Sequence, residues 1–101
     1  MTEELLAKIK LHTIDNPIST KTICEQLELQ NEGQLRTMIH ELRMAKHKIA
    51  SKDLDGKYGY FIARDKIEMQ PTIEDIKARA FSLLELVKHM EDWNETEPRL
   101  F

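Results

Sequence analysis

The chain lacks most of what small proteins use for covalent or metal chemistry. It has one cysteine, Cys24, so no internal disulfide can form. A lone thiol fits a reducing compartment. The four histidines, His12, His40, His47 and His89, form no His-x-x-x-His pair, and there is no Cys-x-x-Cys. The usual zinc spacings are therefore missing. The three glycines, Gly33, Gly56 and Gly59, are too few and too scattered to cradle a phosphate. No apolar run approaches the roughly 18–20 residues needed to span a bilayer. The opening Met1-Thr2-Glu3-Glu4 is acidic where a signal peptide would be basic. These absences lead us to expect a cytoplasmic, non-enzymatic protein with no metal, no cofactor and no membrane span.

What the chain does have is charge, unevenly spread. Its formal net charge is −3. Residues 1–30 carry three Lys and five acids, and residues 67–101 carry four Lys/Arg and eight acids. Residues 31–66 carry eight Lys/Arg against five acids. Positive charge thus concentrates in one contiguous third. A local surface matters more than the sum, because charge is screened beyond roughly 10 Å at ordinary salt.

Periodicity predicts four helices and a hairpin. Leu5, Leu6, Ile9 and Thr13 predict a first helix over about Thr2 to Ile14, stopped by Asp15-Asn16-Pro17. Ile18 is a short apolar bridge. Ser19 caps a second helix of about two turns, with Ile23, Cys24 and Leu27 on one face. Asn31 caps a third, over about Glu32 to Lys46, where Leu35, Met38, Ile39 and Leu42 form an apolar stripe. Alternation over 48–54 and 58–64, separated by Asp55-Gly56-Lys57, predicts two antiparallel strands and a tight turn. A polar connector is expected over 65–71, ending in Pro71. Thr72 and Asp75 resemble a capping box opening a last helix, from about Ile73 to Trp93.

The fold class expected is therefore mainly α with a small antiparallel hairpin. The order helix-helix-helix-hairpin, over roughly residues 3–65, resembles the winged helix-turn-helix family. Pro17-Ile18-Ser19, Leu35-Arg36 with Ile39, and Gly59-Tyr60-Phe61-Ile62-Ala63-Arg64-Asp65 look like the small winged-helix proteins of bacteriophages and prophages. Ala78-Arg79-Ala80 fits the long helix that often follows in them. The resemblance implies a winged domain over 1–66, a helix over 72–93 that packs on it or dimerises, and a flexible tail over 94–101. It also implies a sequence-selective binder of double-stranded DNA, acting in transcription regulation or DNA replication in a bacterial host cytoplasm.

Carried over by position, Gln34, Arg36, Thr37, His40 and Arg43 on the third helix are the base-reading candidates. Their chemistry agrees, since Arg forks onto guanine and Gln brackets adenine. Ser19, Thr20, Lys21 and Asn31 sit near helix starts, where hydroxyls, amides and backbone N–H groups hold phosphate. Lys48, Lys52 and Lys57 on the hairpin would add phosphate contacts. Against this stand Glu32, Glu41, Asp53 and Asp55, which repel phosphate.

The last helix carries a heptad seam of Ile73, Ile76, Ala80, Leu83, Val87 and Met90. It would pack on the domain, pair with a second copy into a homodimer, or both. The alternative function is a protein-interaction module for a host or phage partner. Here the final Leu100-Phe101 is similar to the end of the peptide by which bacterial replication proteins hold the sliding clamp, although Glu97 and Pro98 depart from that motif.

Overall fold

The computed structural model describes residues 2–92. The expected tail contacts, Leu100 and Phe101, and the expected helix end, Trp93, lie outside the described residues. The elements are α1 (Thr2–Ile9), β1 (Ile18–Ser19), α2 (Thr20–Gln26), α3 (Glu32–Met44), β2 (Ile49–Leu54), β3 (Lys57–Ile62) and α4 (Lys66–Glu91). The chain is mainly helical, with a small three-stranded antiparallel sheet in the order β1-β3-β2 and a long C-terminal helix.

The apolar stripes do what their spacing dictates. Leu5 and Ile9 of α1, Ile23 of α2 and Leu35 of α3 are fully buried against Ile49 and Tyr60 of the sheet. Cys24 packs on this cluster. Burial raises its thiol pKa, with smaller contributions from Glu32 and Glu25, so it stays protonated. The hairpin turn is as Asp-Gly predicts: Asp55 and Gly56 both have positive φ, and Asp53 Oδ1 accepts from the Gly56 N–H at 2.8 Å. Gly59 is needed for a different reason. A Cβ there would lie 2.5 Å from Leu54 and 3.0 Å from Pro17.

Four expectations need correction. First, α1 ends at Ile9, not Ile14. Turn bonds from Leu11 and His12 close it, and His12 then gives its carbonyl to Ile62 N–H at 3.2 Å. Second, α3 ends at Met44, before Lys46. Its last carbonyls are taken by Lys46 N–H and His47 N–H, with Lys46 itself at positive φ. Third, the apolar bridge is a strand: Ile18 and Ser19 pair with Tyr60 and Gly59.

The fourth correction is the largest. Residues 66–71 are not a connector, because α4 starts at Lys66 and runs through Pro71. Asp65 caps it, accepting from Glu68 N–H at 2.9 Å. Glu68 Oε1 reaches back to Arg64 N–H at 2.9 Å, and its other oxygen pairs with the Arg64 guanidinium. Pro71 forgoes the bond to the Ile67 carbonyl, at an exposed residue open to solvent. Thr72 is no cap either. It is buried in α4, accepting from Ser51 N–H at 3.0 Å and donating to Ser51 C=O at 3.2 Å. One hydroxyl thereby satisfies both outward groups of an edge-strand residue.

This cap makes stability acid-sensitive. The Arg64 side chain, then the Arg64 backbone N–H, holds the Glu68 carboxyl below its ordinary range. Its stabilising contribution is complete above the unfolded carboxylate pKa, about 4.3, and is lost as pH falls through the lower folded value. We therefore expect Glu68→Gln to lower the urea midpoint at neutral pH, with the gap closing in acid. A gap that does not change with pH would count against this cap.

Candidate functional site

Helices α2, α3 and α4 and the hairpin enclose an open groove of about 990 Å³. Its floor is Tyr60 with Arg43, and its rim carries Lys21, Arg36, His40, Lys57 and Arg79.

Several sequence candidates turn out to have local duties. Ser19 Oγ accepts from Thr22 N–H at 3.1 Å and donates to the Thr22 hydroxyl at 2.8 Å. Thr20 Oγ1 donates to the Tyr58 carbonyl at 2.9 Å, tying the start of α2 to β3. Asn31 Oδ1 accepts from Gln34 N–H at 2.9 Å, and Gln34 Oε1 accepts from Gln30 N–H at 3.1 Å. The Ser19 and Asn31 bonds cap α2 and α3 by satisfying N–H groups of their first turns. Thr37 Oγ1 donates to the Gly33 carbonyl at 3.1 Å. The residue remains on the exposed face of α3.

Arg36, Thr37 and His40 are all exposed on that face. Arg36 is paired with Glu32 only loosely, at 4.0 Å with both side chains two-thirds exposed. Such a contact is worth little and releases easily.

Arg43 does not project with them. Its Nε donates to the Ile49 carbonyl at 3.0 Å, and its guanidinium carbon lies 6.0 Å from the Tyr60 ring centroid. Burial lowers its pKa, Tyr60 opposes that shift, and Arg79 adds to it. Arg43 is thus a half-buried strut between α3 and the sheet. A helical wheel cannot reveal this, because it shows the face but not what leans over its end.

The hairpin lysines also separate. Lys57 is on the rim. Lys52 alternates with the groove-lining Ser51, which puts it on the opposite face of the sheet. Lys48 precedes β2 and does not line the groove.

Sequence reasoning missed Arg79. It reaches the groove from α4, in an ion pair with Asp75 at 3.3 Å, and Asp75 also accepts from the Tyr58 hydroxyl at 3.5 Å. Burial raises the Tyr60 pKa, while Arg43, Arg36 and Arg79 pull it down, in that order. Three guanidinium groups from two helices therefore act on one tyrosine. The Ala78-Arg79-Ala80 run identified the helix but not where it crosses.

Among the described residues no cluster of His, Cys, Asp and Glu is placed to hold a metal, and no helix is long and apolar enough to cross a membrane. Comparison with protein families, curated proteins and solved structures gives no match for this chain.

Proposed function

We propose that this chain is a winged helix-turn-helix protein that binds double-stranded DNA and selects sequence through α3. One observation carries the reading: Arg36, Thr37 and His40 share an exposed face of a capped helix, beside a groove rimmed by Lys21, Lys57 and Arg79. In this reading Arg36 and His40 meet base edges in the major groove. Lys21 and Lys57 then neutralise phosphates, and Arg43 holds α3 to the sheet. The net charge of −3 is no obstacle, because the groove itself is lined by five Lys/Arg (Lys21, Arg36, Arg43, Lys57 and Arg79) against two acids, Glu25 and Glu32. Control of transcription or of replication is the role such binding would serve.

The test is duplex selection from a random library, followed by anisotropy at two salt concentrations. Arg36→Ala is expected to cost about 1–3 kcal/mol, roughly five- to 150-fold in affinity, and to relax selectivity at one position. Lys21→Ala with Lys57→Ala should weaken binding to all duplexes alike and flatten the salt dependence by about two phosphates' worth. If Arg36→Ala binds every duplex as the parent does, α3 is not the reading element.

A further inference from the structure

The far half of α4 carries an unpartnered apolar surface that begins at the groove, where Ile76 and Arg79 form part of the wall. Thr72 is buried, yet every residue from Ile73 to Asp92 is exposed. Phe81, Leu83, Leu84 and Met90 are each 62–71% exposed. The helix of 26 residues contributes to a long axis of 58 Å, against 32 and 29 Å for the others. At 100° per residue, the seam from Ile73 to Met90 falls within an arc of about 100°, with Leu84 and Leu86 widening it on either side. The large apolar residues of the seam, with Leu84 and Leu86, expose on the order of 700 Å² together, Phe81 lying outside this arc. That is near the ~800 Å² each partner gives to a standard interface, and monomers rarely leave so much uncovered.

We infer that a second copy of this chain covers this face, with the two α4 helices antiparallel. The seam complements itself in that direction. Position a then faces d of the other copy, so Ile73 meets Met90, Ile76 meets Val87 and Ala80 meets Leu83, each twice. The flanking charges agree. Lys77 and Glu91 occupy e positions, and the same register brings Lys77 of each copy beside Glu91 of the other. A parallel, in-register pair lacks this match. There Lys77 would face Thr72, already committed to Ser51, while Arg79 and Glu91 would face Leu84 and Leu86. A parallel pair would also crowd both folded domains at one end of the helix pair. Ile76 also lines the groove, so the helix of the second copy would abut the α4 wall of that groove; oligomeric state and duplex binding are read by separate measurements.

Sedimentation equilibrium of the full chain tests it. The parent should dimerise in the micromolar range. Leu83→Glu should raise the dissociation constant more than about a hundredfold. It should leave the monomer folded, because Leu83 is mostly exposed and beyond the domain's core. Lys77→Glu should raise the constant about five- to tenfold, and adding Glu91→Lys should restore it. Direction is read by oxidative cross-linking in a Cys24→Ser background. Chains with Ala80→Cys should cross-link to chains with Leu83→Cys, and neither should cross-link to itself. A monomeric parent, self-linking of either cysteine variant, or no rescue in the charge swap would overturn the inference.

Discussion

Phe61→Ala should destabilise the fold by about 3–5 kcal/mol. Phe61 is 1% exposed, and it is the largest side chain of a second, smaller cluster with Ala50 and Ala63. Ile14, from the loop after α1, and Met69, from the first turn of α4, pack on it. The alternation of β3 puts Tyr60 into the main core and Phe61 onto the opposite face of the sheet. Neither Ala50 nor Ala63 can expand into the space a lost ring would leave. A domain of this size has about 5–15 kcal/mol of stability in all, so the variant should be substantially unfolded at modest urea. Phe61→Leu, which keeps most of the volume, should cost only about 1–2 kcal/mol. Chemical denaturation of both variants checks this. A loss below about 1 kcal/mol for the alanine variant would mean that this face of the sheet does not act as a core.

Thr72→Val is the second large effect, with an expected loss of about 2–4 kcal/mol. Valine keeps the shape and removes the hydroxyl. The Ser51 N–H and C=O then lose their partner beneath α4, where water has little access, since Thr72 is 4% exposed. Thr72→Ser keeps both bonds and should cost much less. A stability argument alone would not separate this from a packing defect, so amide exchange at Ser51 is the sharper measurement. The valine variant should lose protection there while the centre of α3 keeps it. Equal protection at Ser51 in parent and variant would show that the hydroxyl does not close the strand edge. The effect should reach the groove as well, because Thr72 is one turn from Ile76 and two from Arg79.

How much of this could be read from residues alone varied with the range of the forces involved. The caps at Ser19 and Asn31, the stripes of α2 and α3 and the Asp-Gly turn depend on neighbours a few residues away, and periodicity exposes them. The two-residue β1 offers no period at all, and only the company of Gly59 and Tyr60 makes it a strand. Pro71 argued locally for a boundary. It was outweighed by the Asp65–Glu68 cap before it and by Met69 and Thr72, whose burial rewards a continuous helix. The end of α3 was hidden for a related reason, since Lys46 takes the positive φ usually marked by glycine or asparagine.

Of the candidate site, the exposure of Arg36, Thr37 and His40 was legible, because a buried stripe at Leu35, Met38, Ile39 and Leu42 forces the other face outward. The fates of Arg43, Lys52 and Arg79 were not. Each turns on which element lies across another, and crossing is a property of packed surfaces rather than of spacing. Residue order alone determined the kinds of element, their sequence along the chain and the concentration of positive charge in the middle third. Tertiary structure decided that α4 closes the edge of β2 and forms a wall of the groove. It also turned Arg43 into a strut at the groove floor and brought Arg79 to the rim. Short-range patterns are written in neighbouring residues, whereas contacts such as Thr72 to Ser51 arise only once distant segments bury each other's polar groups.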